Sequence, residues 1–202
     1  MLQLLSTMTR ASVSKRLRGF LAAASTLMFA AMGSTAHAQT AESLVSSFDQ
    51  VCLQGGIDRP DQKQAMVSAG WMPLPTAFLQ QIVGSMPLRN VEGFIVSTHE
   101  SAMIGMLAEM TIEGQSVAVC ATSMIPKASD LRAALVEWAG VSPAPTPTSG
   151  TDTMIALRVD GSTATPVTAT PAEMQRLMTS GQLIMVAGRE YPTMTMIMTM
   201  RF

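Results

Sequence analysis

Cys52, Cys120, His99 and a run of alternating methionines are the residues whose types and spacing bear on chemistry. Cys52 and Cys120 stand 68 positions apart, far from any C-x-x-C arrangement, so thiol–disulfide catalysis has no signature. In an exported chain an even pair forms one structural bridge, here between an N-terminal helix and a strand. Two buried free thiols, or a part in a metal site, are the alternatives. Met194, Met196, Met198 and Met200 alternate with Thr193, Thr195, Ile197 and Thr199. On a strand all four point to one face, at about 7 Å intervals, and soft thioethers select Cu(I). Met103, Met106 and Met110, with His99, form a second possible cluster. Plain packing competes with both readings, because unbranched methionine fills irregular core gaps and also stands at ordinary core positions such as Met174 and Met178. A hydrolase would have to use His99 as its base. Residues 39–202 contain no G-x-S-x-G, S-x-x-K or H-E-x-x-H, and Asp58, Asp61, Glu109 and Glu113 are scattered. Asp58-Arg59-Pro60-Asp61 reads as the turn that starts a helix. His99 and Glu100 are neighbours, which sends their side chains to opposite faces if the strand continues through them.

The elements that must position these groups follow a leader. Met1 to Ala38 has basic Arg10, Lys15, Arg16 and Arg18, then an apolar run from Gly19 to Gly33, then Ala36-His37-Ala38 before Gln39. That is the pattern of a secretory signal with an A-x-A cleavage site. The run is shorter than the roughly 20 residues needed to span a bilayer, so an uncleaved inner-membrane tether is the secondary reading. Cleavage removes His37 and leaves His99 as the one histidine. Four of the 13 basic residues lie in the leader, so nine remain against 14 acids, a net charge of −5. Such a balance gives no electrostatic reason to bind nucleic acid. After cleavage no integral membrane span is expected, and the location is periplasmic or secreted. No cofactor is expected, and the partner is unknown. An apolar fraction of 48% with 13% charge excludes general disorder, and two cysteines exclude a disulfide-stapled miniature protein.

Residues 39–202 read as a single α+β domain with a mainly antiparallel sheet of five to six strands. Thr40 caps a helix to Leu53 whose stripe is Leu44, Val45, Phe48, Val51 and Cys52, and Gly55-Gly56 ends it. Helices are also expected over Pro60–Ala69 and Thr76–Val83. Strands follow from Gly93, over Met103–Ile112 and over Ser116–Met124, the last two joined by a turn at Glu113-Gly114-Gln115. Ser129 caps a helix to Ala139, and Gly140 stops it. Residues 141–150 (VSPAPTPTSG) form a Pro/Thr-rich loop. A strand over Thr153–Val159 precedes a helix opened by the capping box Thr170-Pro171-Ala172-Glu173. Strands Gln182–Ala187 and Thr193–Phe202 close the chain around a hairpin at Gly188–Pro192.

Phe48-Asp49-Gln50-Val51-Cys52, the helix before Gly70-Trp71, the Cys120 strand running into the Ser129–Gly140 helix and the closing polar–apolar strand occur in a recognisable order. In that order the chain resembles small exported proteins of proteobacteria, chiefly alphaproteobacteria. The resemblance implies export and one Cys–Cys bridge, and it carries no activity. On these grounds a non-catalytic structural or binding module leads. A Cu(I)-binding protein built on Met194, Met196, Met198 and Met200 is the alternative, and a hydrolase centred on His99 comes third.

Overall fold

The structure is a computed structural model, and it describes residues 40–84, 86–97, 101–112, 114–143 and 152–202. Its strands are β1 (Met72–Pro73), β2 (Leu88–Ser97), β3 (Ala102–Ile112), β4 (Gln115–Ile125), β5 (Asp152–Asp160), β6 (Thr163–Val167), β7 (Leu183–Glu190) and β8 (Thr195–Arg201). They form one sheet in the order β1-β2-β3-β4-β8-β7-β5-β6, and every pairing is antiparallel. The helices among the described residues are α1 (Ala41–Asp49), α2 (Arg59–Ser68), α3 (Thr76–Val83), α4 (Leu131–Ala139) and α5 (Pro171–Thr179).

The architecture is α+β with an antiparallel sheet, as expected, but the sheet has eight strands rather than five to six. The two additional strands lie at its edges. β1 is two residues long, too short for any alternation to register. β6 carries Pro166 opposite Leu157. Proline lacks a backbone donor and is tolerated in an edge strand, where its sequence reads as loop. β2 also begins earlier than Gly93. Its first half, Leu88 to Glu92, is broken by a register shift between Arg89 and Glu92, where Asn90 takes a left-handed conformation at φ 51°. The last hairpin turns later than expected: β7 runs on to Glu190, and the Tyr191 N–H donates to the Met194 carbonyl at 2.8 Å.

Local chemistry sets the helix ends. The Thr40 hydroxyl accepts from the Ser43 N–H and opens α1, and the Thr170 hydroxyl accepts from the Glu173 N–H and opens α5. α4 departs from expectation. Ser129 does not cap it; Asp130 holds the preceding position at φ 62°, and the Leu131 N–H donates instead to Glu190 Oε1 at 3.2 Å. A carboxylate from the end of β7 thus neutralises the positive end of α4, a tertiary partner that local spacing does not reveal.

The helices divide between the two faces of the sheet. α1, α2 and α4 cover one face. Leu44, Phe48, Leu131 and Leu135 are buried there against Leu107, Ile155, Leu157, Ile184, Val186 and Ile197. Each such fully buried side chain contributes about 1.5–3 kcal/mol. Phe48 meets Trp138 edge to face at 6.1 Å, which fixes α1 against α4. Gly188 lets α4 approach closely, since a Cβ there would stand 2.3 Å from Leu135 Cδ1. On the opposite face α3 sits over β2, with Leu79 seated on Gly93, and α5 packs Leu177 near Leu183 and Met185. No helix among the described residues is long and apolar enough to cross a membrane.

Candidate functional site

Cys52 and Cys120 are joined, with their Cα atoms 5.7 Å apart. Helix α1 widens at its end into a π-helical turn, Gln50–Gln54, in which the Gly55 N–H reaches back to the Gln50 carbonyl. Cys52 stands in that turn and meets Cys120 in β4. The Gln62 amide donates to the Cys52 carbonyl at 2.9 Å, which accounts for a glutamine that is 93% buried within α2. Cys52 and Cys120 are 0% and 1% exposed. At that depth the bridge is structural: it fastens α1 to the centre of the sheet and presents no sulfur to solution.

Strand β8 has two dissimilar faces. Thr195, Ile197 and Thr199 point into the helix-covered core and are all buried. Their hydroxyls are satisfied by backbone: Thr195 Oγ1 donates to the Ala128 carbonyl and accepts from the Ala128 N–H, both at 3.0 Å, and Thr199 Oγ1 does the same with Cys120 at 3.3 Å. Met196, Met198 and Met200 point to the other face. Met200 is buried, while Met196 and Met198 are half-buried. Met194 precedes the strand and belongs to the hairpin turn, so three methionines of the run rather than four share the face of β8. The Thr-Met alternation is apolar enough on both sides to hide which side is deeper. Met198 and Met200 pack in a second hydrophobic cluster, apart from the one under α1, α2 and α4.

Register gathers more thioethers onto that second face than one strand could supply. Met198 lies opposite Ala187 of β7, and Ala187 lies opposite Met154 of β5. Met185 lies opposite Met200. Met106 and Met110 of β3 share the face, and Met174 and Met178 of α5 pack against it. Met103, grouped with Met106 and Met110 by helical spacing, points the other way into the helix-covered core, because β3 is a strand and odd and even positions part. Alternation in Ile104, Met106, Ala108, Met110 and Ile112 is the sequence signal that holds; the contributions of Met154 and Met185 depend on strand order, which no local pattern encodes.

One charged pair, Arg189 and Asp152, lies on this face, and the pairs made by Glu92 and Arg201 lie on the side that α2 covers. Arg189 pairs with Asp152 across β7 and β5, and both side chains are largely buried, at 14% and 11% exposure. The hydrogen bonds from Asp152 hold the Arg189 guanidinium even more firmly protonated than usual, and Arg189 also lies 5.8 Å from the Tyr191 ring centroid. Glu92 receives Lys63 at 2.6 Å and Arg59 at 2.9 Å, and these two donors hold its carboxyl below the ordinary range. Asn90 donates to Glu109. Asp58 pairs with Arg201 at 2.5 Å and makes no side-chain cap on α2. These pairs tie elements together. His99, Glu100, Glu113 and most of the 141–150 loop lie outside the described residues. Among the described residues no three His, Cys, Asp or Glu side chains come together as a metal site of those types would require. Two concave places on the described surface, beside the start of α4 and beside α5, are shallow and lined mainly by charged and polar side chains.

No protein-family model, curated protein or solved structure matches the chain.

Proposed function

We propose that the chain is an exported, periplasmic or secreted, non-catalytic binding module, and that the methionine-bearing side of its sheet is the binding face. One observation carries the reading: a fully buried Cys52–Cys120 bridge secures the helix-covered side of the sheet, while the other side keeps half-buried methionines in reach of solvent. A buried bridge matures in an oxidising compartment, to which the leader over residues 1–38 would direct the chain. A face built from flexible, polarisable side chains adapts to what it meets.

Export and oxidation are tested together by expressing the full chain, fractionating the cells and measuring intact mass. The reading expects a species starting at Gln39, two hydrogens lighter than its reduced form, in the extracytoplasmic fraction. An intact leader on a cytosolic product with two free thiols overturns it.

A further inference from the structure

The methionine face contains a feature more specific than apolar adaptability: Ala187 is surrounded by thioethers. Met198 of β8 and Met154 of β5 flank it directly across the sheet. Met185 precedes it by two positions on the same strand and therefore shares its face. Directly opposed Cβ atoms lie about 5 Å apart, and positions two along a strand about 7 Å. Each of the three methionines is thus one neighbour position from Ala187, around a side chain too short to occupy the space above it. Met154 and Met198 are half-buried and Met185 is 8% exposed, so the group is sheltered yet reachable. The fourth neighbour of Ala187 is Arg189, whose charge is neutralised by Asp152 and so does not oppose a cation.

We propose that Met154, Met185 and Met198 form a trigonal thioether site for a monovalent soft cation, Cu(I), seated over Ala187. The chemistry follows from the donors. Thioethers are neutral and soft, which selects Cu(I) over hard divalent ions and leaves the bound ion at +1 with no proton released. Unbranched side chains with three rotatable bonds can turn their sulfurs inward from three directions. Met200, buried and opposite Met185, stands behind the site as a further sulfur. The site deepens the binding-module reading by naming a ligand and rests on it only for a compartment where copper would be met; export itself is read by the mass and fractionation experiment.

The test uses the purified protein with its disulfide intact, under anaerobic conditions, with Cu(I) delivered from its bicinchoninate complex and Ag(I) as a redox-inert stand-in. One Cu(I) per chain should leave the chelator. Ag(I) should shift the methyl resonances of Met154, Met185 and Met198 and leave those of Met66, Met103 and Met124, on the helix-covered face, in place. The triple variant M154L/M185L/M198L should lose the competition, while M72L, at the exposed end of the sheet, should keep it. Failure to withdraw Cu(I), retention of binding by the triple variant, or shifts confined to other methionines each overturns the site. If the triple variant does not fold, the resonances of the unmodified protein decide the matter. A negative result removes the ligand and leaves the export reading standing.

Discussion

The two faces of the sheet are built by different rules, although they share every strand. On the helix-covered face packing is close: Gly188 admits α4 onto the sheet, and the buried hydroxyls of Thr195 and Thr199 each donate one hydrogen bond to backbone and accept one from it, while the Thr122 hydroxyl is buried there without a partner. On the methionine face, cover is partial, supplied by α3 near β2 and α5 near β7, and flexible thioethers pack beside branched side chains such as Val117, Val119 and Leu183. The lesson is that one strand can bear shape-specific packing on one side and adaptable packing on the other. A substitution's cost should therefore depend on the parity of its position more than on its place along the chain.

The largest expected effect tests the anchoring of the covered face. Replacing both Cys52 and Cys120 by alanine should lower stability by about 4 kcal/mol on the loop-entropy account, read by urea denaturation. The methyl spectrum of Met154 and Met198 should be unchanged under native conditions, since the bridge lies on the other face. A loss below roughly 1 kcal/mol would mean that α1 is held by packing alone. A smaller effect separates adjacent residues of β7. Gly188→Ala forces a methyl against Leu135 and Leu131 and should cost about 1–3 kcal/mol. Ala187→Val, one position away on the methionine face, should stay within about 0.5 kcal/mol in a thermal melt, because half-buried methionines can move aside. Equal costs at the two positions would erase the distinction.

Much of the covered face was legible in the sequence. The stripe Leu44, Val45, Phe48, Val51 and Cys52 is buried along its length, the Thr40 cap forms, and Cys52 meets Cys120; on the other face the Thr170 cap of α5 forms too. Those features are local or concern the only two cysteines, so periodicity and cap chemistry suffice. Long-range features were not legible. Glu190 capping α4 and Met154 and Met185 beside Met198 arise from pairings β7–β8 and β5–β7, whose order has no trace in spacing. The edge strands β1 and β6 escaped for a further reason: one is two residues long, and the other contains proline. The side of β8 that would lie deeper was ambiguous because threonine, once its hydroxyl has a backbone partner, is as acceptable in a core as methionine.

The smallest expected effect comes from the same ambiguity and isolates it at one step of the chain. Thr199→Val keeps the shape of a buried side chain but removes the hydroxyl that serves the N–H and carbonyl of Cys120, so about 1 kcal/mol should be lost. Met198→Leu, the residue before it, keeps volume and hydrophobicity on a half-buried surface and should change stability by under about 0.5 kcal/mol. Chemical denaturation of the two single variants and their double resolves the pair. The side chains face opposite ways and share no partner, so the double should equal the sum of the singles within about 0.5 kcal/mol. Coupling beyond that would mean that the sheet transmits strain from one side to the other, and the methionine face could then not change its packing around a ligand without disturbing the core beneath it.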